Sequence, residues 1–435
     1  MENLGAPAHD LGQSLYGLVE ELYPICRSIT GDGVRQTLDI LGRYVPLQRT
    51  ELRSGKPILD WTVPKEWNIR DAYIKDASGK RVVDFHAHNL HVVNYSAPVR
   101  GTFSLEALRP HLFSLPEQPE LIPYRTSYYA ESWGFCLSQR QLEGLTEGDY
   151  EVCIDSSLEP GTLTWGEYVL PGQREEEILI STHLCHPSLV DDNLTGLAIS
   201  VHLARLLSAL PQRRYTLRFL YAPGTIGAIA WLAQNRKPKI KAGLTLTCLG
   251  DSHPFTYKKT VQGNSEVDRA AALALRESGV AHQQIDFFPY GYDERQYNSP
   301  GFRLPVGSLM RGRHGMFPEY HTSADNLSFV SADRMVESLT LLHNIVDILD
   351  GNVRYKNLAP YGEPQLGKRG LYKAMGGTNI PNLQLALLWV LNLSDGESSL
   401  LDIAERAQMP FATLRHAADL LTAGALLEPL EVTKT

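Results

Sequence analysis

Apolar positions recur at two spacings along this chain, and the spacing divides it into unlike stretches. Near the N-terminus Leu15, Leu18, Val19 and Leu22 lie at the period of one helix face. A turn at residues 26–33 separates this helix from a second one that runs to Leu41. From about residue 50 the pattern shortens. Runs at 61–64, 81–85 and 91–95, with Gly, Pro and Asn between them, predict short strands, and further strands follow at 150–155 and 161–170. Unbroken apolar runs then alternate with helical patterns. Ile178-Leu179-Ile180 predicts a strand, and further strands fall at 215–221, 244–249 and 305–310. Helices are expected at 194–207, 228–234 and 265–278, and a last one, capped by Ser331, runs to Leu349. Apolar runs without alternation are strands covered on both faces, so this part predicts an α/β fold with a mostly parallel sheet flanked by helices.

A stretch with Pro360, Gly362, Pro364, Gly367 and Gly370 reads as a linker. Helices at 383–393, 399–407 and 410–423 and a strand at 425–428 follow it, the order of a winged-helix module. The expected organisation is an α/β domain from residues 1–50 and 166–358, an inserted β-rich domain at 51–165 and a winged helix at 365–435.

Charge and composition narrow the partners. The formal net charge is -8, which disfavours nucleic acid. In the C-terminal module Lys368, Arg369, Lys373, Arg406, Arg415 and Lys434 face Asp395, Glu397, Asp402, Glu405, Asp419, Glu428 and Glu431. Such a balance lacks the basic face of a DNA reader and points to protein contact or homo-oligomer assembly. No apolar run reaches the length of a membrane span, and MENLGAPAHDLG lacks the basic and apolar segments of a signal peptide. Cys26, Cys136, Cys153, Cys185 and Cys248 are few and scattered, as free thiols in a reducing compartment are. The expected location is the cytoplasm.

Candidate chemistry gathers in three places. After Ile178-Leu179-Ile180 come His183, Cys185 and His186, then Asp191, Asp192 and Asn193 before a helix. Imidazoles and carboxylates at the carboxyl end of a strand stand where α/β sheets bind ligands, and they are the donors that zinc prefers. The second place is residues 291–297, and the third is Glu319-Tyr320-His321-Thr322-Ser323-Ala324-Asp325 before the last α/β helix. A carboxylate such as Asp325 would suit the orientation of an imidazole. Each alone is an ordinary loop; their convergence is the signal.

Together these segments resemble the M28-type zinc aminopeptidases. The resemblance lies in His183-Leu184-Cys185-His186, in Asp192-Asn193-Leu194-Thr195-Gly196 and in Tyr320-His321-Thr322. Over nearly the whole chain the sequence is more similar to a bacterial group of aminopeptidase-like proteins, the DUF4910/DUF2172 group. Residues 23–31, 60–67 and 122–129 carry that likeness, as do Trp133-Gly134-Phe135-Cys136 and Cys185-His186-Pro187-Ser188. The resemblance implies one zinc ion held by His186, Asp192 and His321. His183, nearer the strand end, competes with His186, which is preferred because it lies in the group's own motif.

The peptidases also carry a Glu-Glu pair, base and ligand, after the strand that corresponds to residues 217–221. Here Ala222-Pro223-Gly224-Thr225-Ile226-Gly227 has no carboxylate. A further Asp ligand of the family would fall near Thr247 or Cys248, and Asp251 is the nearest carboxylate. Glu294 and Asp293 are the expected substitutes for the base, with Arg295 and Tyr297 holding a substrate carboxylate or an oxyanion. Tyr128, Tyr129 and Trp133 of the insertion are expected to wall the cleft. The implied activity is zinc-dependent cleavage of an amide or peptide bond in a small molecule or short peptide. The alternative is an altered peptidase fold that binds a small molecule or assists sugar or natural-product biosynthesis.

Overall fold

The structure, a computed structural model, describes residues 8–371 and 382–430. Eight strands form the central sheet: β1 (Gln48–Arg53), β2 (Thr162–Leu170), β3 (Arg174–His183), β4 (Tyr215–Ala222), β5 (Ile240–Leu246), β6 (Phe255–Lys258), β7 (His282–Ile285) and β8 (Val306–Met310). Their spatial order is β1-β2-β4-β3-β5-β8-β6-β7. The inner four, β4, β3, β5 and β8, run parallel, with Ile180 level with Phe219 on one side and Leu244 on the other. The outer pairs β1–β2, β2–β4 and β8–β6 are antiparallel. The inner strands are the unbroken apolar runs of the sequence, and from Ile178 to His183 every residue of β3 is buried. β7 (HQQI) is polar and mostly exposed, so periodicity could not announce it.

Helices cover the sheet. Thr195–Ser208 is buried almost throughout, and Ala8–Leu22 packs against it. Asp32–Leu41 lies on β2. The long helix forms at Ala332–Gly351, and the Ser331 hydroxyl accepts the Arg334 N–H as an N-cap does.

The insertion departs between β1 and β2, which pair with Thr50 level with Trp165. The central sheet therefore claims residues up to Arg53 and from Thr162, so the insertion is shorter at both ends than residues 51–165. Its sheet has the order Arg81–Asp84, Glu66–Lys75, Asp149–Glu159, Val99–Ser104, all antiparallel. Ile74, Val83, Phe135, Val152 and Ile154 fill its core. The apolar run 91–95 does not become a strand. It meets the aromatic stretch 124–129 in single bonds, the Asn94 N–H to the Arg125 carbonyl at 2.8 Å and the Ser127 N–H to the Asn94 carbonyl at 2.9 Å.

Contacts divide the chain into two units, Met1–Ser265 with Val280–Leu342, and Glu266–Gly279 with His343–Thr435. In the second, helices Asn382–Leu393, Leu400–Ala407 and Phe411–Ala423 accompany a three-stranded antiparallel sheet of Asp395–Ser399, Arg354–Asn357 and Leu427–Leu430. Two pieces read into the α/β domain, Arg354–Asn357 and the helix Glu266–Ser278, belong to this unit instead. Arg415 is ion-paired with Asp347 at 2.6 Å, so the helix Phe411–Ala423 offers no free arginine among the described residues. Lys373, Glu431 and Lys434 lie outside the described residues.

Candidate metal centre

The carboxyl ends of β3 and its neighbours carry the cluster. β3 ends at His183, and the following loop returns through Asp192 to the buried helix. The loop is held by Asp325, whose buried carboxyl accepts the N–H groups of Val190, Asp191 and Asp192 at 3.1, 2.7 and 3.0 Å. Burial pushes that carboxyl up to about 7. Asp325 thus positions main chain and does not orient an imidazole, as the sequence had suggested. Arg27, fully buried, donates to the His186 carbonyl at 2.9 Å and fixes the other limb of the loop. Asn193 braces the turn by donating to the Leu246 carbonyl at 2.8 Å.

Three imidazoles converge on one carboxylate. His183 Nε2 lies 2.8 Å from Asp192 Oδ1, and His321 Nε2 lies 3.0 Å from Oδ2. His186 Nδ1 is 3.7 Å from Oδ1, buried, and without a hydrogen-bond partner. Donor atoms of His183, His186 and Asp192 all fall within 4.8 Å of one another. Burial alone would raise the Asp192 carboxyl, but the surrounding imidazoles, His186 first, outweigh it and hold the group well below its usual range. Burial drives His186 far below the usual imidazole range despite Asp192. The cluster is therefore an ionised carboxylate with a neutral imidazole, the protonation a metal requires. An orphaned buried nitrogen beside an N/O donor set fits Zn2+ better than a finished hydrogen-bond network.

His321 comes from the far loop with φ of 56°, in the left-handed region that a β-carbon disfavours. The insertion holds it there. The Tyr124 N–H donates to the His321 carbonyl at 2.7 Å, and the Ser323 N–H donates to the Ile122 carbonyl at 2.9 Å. The Tyr124 ring stands edge-on to both His186 and His321, with centroids 5.0 Å away. Tyr128 supports Tyr124 through a 2.6 Å hydroxyl contact. Trp133 stacks on His111 inside the insertion, and Tyr129 is exposed against Trp61.

Several expected residues stand elsewhere. The buried Glu294 carboxylate is ion-paired with Lys258 and accepts the Tyr292 N–H, so it is not free to act as a base. The Asp293 carboxyl is raised well above the usual range by burial and by Glu294, and it stands outside the histidine group. The Tyr297 hydroxyl is 2.8 Å from Ser181 and its ring packs on Trp231, which makes it a core residue. Arg295 stays half-exposed beside Asp293, on the short helix Glu294–Tyr297. Asp251 accepts the N–H groups of His253 at 2.6 Å and Gly312 at 3.0 Å and does not enter the cluster.

Tyr292 is the participant that sequence reading missed. A β-carbon on Gly224 would overlap its ring, so the tyrosine fills the space that a side chain at 224 would take. Its hydroxyl lies 3.4 Å from His186 Nε2, 3.1 Å from Cys185 Sγ and 3.3 Å from the Gly224 carbonyl. The signal was present in Ala222-Pro223-Gly224: where residue 224 brings no side chain, a close-packed interior takes something bulky from elsewhere.

A family model described as a domain of unknown function, DUF4910, matches residues 16–352, and one described as a winged helix-turn-helix matches 353–429. A Clostridium acetobutylicum protein named for polysaccharide biosynthesis and for its aminopeptidase-like domain is 49% identical over 422 residues, 96% of this chain and 97% of its own. A solved structure from the same organism, described as a peptidase, is 47% identical, with a TM-score of 0.92 and 97% of each chain covered. A zinc aminopeptidase of Bacillus subtilis shares the fold at 10% identity, with a TM-score of 0.55 over 78% of this chain and 95% of its own. This chain is therefore a member of the DUF4910 family, with an aminopeptidase-like α/β fold and a C-terminal winged helix.

Proposed function

We propose that this chain is a zinc-dependent hydrolase that cleaves an amide bond in a small molecule. The observation that carries the reading is the convergence of His183, His186 and His321 on Asp192, with a buried His186 nitrogen left unpaired. These four residues would hold one Zn2+. When bound, the ion supplies Lewis acidity and lowers the pKa of water. The chain's own part is positioning. Asp325 and Arg27 fix the loop, and Tyr124 fixes His321. Burial keeps the Tyr292 hydroxyl protonated far above its usual range, which makes it a hydrogen-bond donor and not a base. In this reading its part is to donate to a carbonyl oxygen as negative charge builds there.

A second reading has its own support. Residues 222–227 carry no carboxylate to serve as a base, and the Clostridium relative is named for polysaccharide biosynthesis. An altered peptidase fold that binds a sugar intermediate without cleaving it would keep the metal and lose hydrolysis. Ammonia or amine release from a panel of small amides, by zinc-loaded wild type and by Asp192→Asn, separates the two. Release by wild type alone supports the hydrolase, and metal retention with no release supports the binder.

A further inference from the structure

The open edge of the centre is at His321, whose side chain is 33% exposed while those of His183 and His186 are 3 and 4%. One cavity adjoins that edge, and a second shares a residue with it. One, of about 370 Å³, is lined by His321, Tyr320 and Arg125 among others. The other, of about 300 Å³, is lined by His314, Lys258 and Arg313 among others. Both include Gly315, so they lie side by side along one loop. His314 leads back to the centre through its stack on Tyr292, whose ring is 4.0 Å from that of His183.

The charge of these walls is unlike that of the chain. The sequence has 49 acidic residues against 41 basic ones, yet neither lining contains an Asp or Glu; Glu319, on the same loop, is absent from both. Lys258 is neutralised by Glu294. Arg125 and Arg313 have no ion-pair partner among the described residues. Arg125 is exposed, and its guanidinium lies over the Phe113 ring, 4.5 Å from the centroid. Stacking holds the plane of a guanidinium and leaves its N–H edge to bind an oxyanion in a two-pronged pair.

We infer that the substrate carries a carboxylate, and that Arg125, in the cavity beside His321, and Arg313, in the adjoining one, select it. This rests on the reading of the centre as one that receives a small amide. It replaces Arg295 and Tyr297 as the anion-recognising pair with residues that line the approach. Neither arginine touches the reacting atoms; both are specificity-determining.

The probes are succinamate, glutaramate, adipamate and pimelamate, which carry one amide and one carboxylate at increasing separation, with the matching neutral diamides. Affinity is measured by calorimetry at low and high salt on wild type and on Arg125→Gln, Arg313→Gln and Arg236→Gln. Arg236, exposed and remote from both linings, controls for net charge. Ammonia release is read in parallel. At least one amidate is expected to bind about 10- to 100-fold tighter than its diamide, with the preference weakened by salt. The preference should fall about tenfold in each of the two cavity variants and persist in Arg236→Gln. The inference is overturned if amidates and diamides bind alike or neither binds at about 10 mM. It is equally overturned if both cavity variants keep the preference or Arg236→Gln loses it. Carboxylate-selective binding without ammonia release leaves the inference standing and removes the hydrolase. Release from amidates and diamides alike keeps the hydrolase and removes the inference.

Discussion

Tyr292 shows how one side chain can decide what a site does. Its ring stands where a side chain at residue 224 would project, and its hydroxyl lies 3.4 Å from His186 Nε2. If its role is to donate to a developing oxyanion, Tyr292→Phe lowers kcat on a cleaved amide by about 100-fold while zinc content stays unchanged. Steady-state kinetics with metal analysis on the same sample checks both halves. A second residue-scale prediction concerns acid stability. His88 in the insertion is depressed to about 4, first by burial and then by His91. Its folded pKa lies below the unfolded value of about 6.5, so protonation favours unfolding. The stability it contributes is intact above pH 6.5 and is lost as the pH falls toward 4. His88→Asn keeps a side-chain acceptor for the Leu90 N–H, which His88 Nδ1 now accepts at 3.1 Å. Unfolding midpoints across that range should fall less steeply in the variant. At this scale sequence reading named His186, Asp192 and His321 through the family resemblance of their segments. It set His183 and His186 against each other because spacing cannot show that a loop folds back to use both. It chose Glu294 because that loop resembles one near the peptidase site; only the fold reveals that Lys258, distant in sequence, claims it.

At the level of elements, the β3 loop depends on its anchors more than on its own composition. Three N–H groups aim at one Asp325 carboxyl in a dry interior. Removing that acceptor leaves buried donors unpaired, so Asp325→Ala should cost at least about 3 kcal/mol in denaturant unfolding and weaken zinc retention. Gly224→Ala should cost about 1–3 kcal/mol, because its methyl group meets the Tyr292 ring. The corresponding test is the same denaturant titration, with Tyr292→Ala expected to relieve part of the cost in the double variant. The inner strands and the helices were legible because burial on both faces writes long apolar runs and burial on one face writes a helical period. β6 and β7 were not, since each is four residues long and β7 is mostly exposed. The run 91–95 misled for the opposite reason. Its Val92 and Tyr95 fill hydrophobic cores and not a ladder.

For the whole molecule, the order of pieces was legible and their limits were not. β1 and β2 flank the insertion, but pairing across more than a hundred residues decides that they belong to the central sheet. A polar strand at Arg354–Asn357 gave no sign that it completes the sheet of the second unit. No helix among the described residues is long and apolar enough to cross a membrane. The net charge of -8 and the pairing of Arg415 with Asp347 lead to a further expectation. A fluorescent 30-base-pair duplex at physiological salt should bind no more tightly than about 10⁻⁴ M, the weak end of non-specific association. The account as a whole stands on one site uniting two strand-end histidines, a helix-leading aspartate and a distant histidine held by the insertion. The measurement that tests it most directly is zinc per chain by mass spectrometry, on protein purified without chelator and after zinc add-back. Wild type is compared with His183→Ala, His186→Ala, Asp192→Asn and His321→Ala. The account predicts about one zinc in wild type, lowered in all four variants, the two strand-end histidines included. No zinc in wild type after add-back, or a full zinc complement in the His183→Ala and His186→Ala proteins, would contradict it.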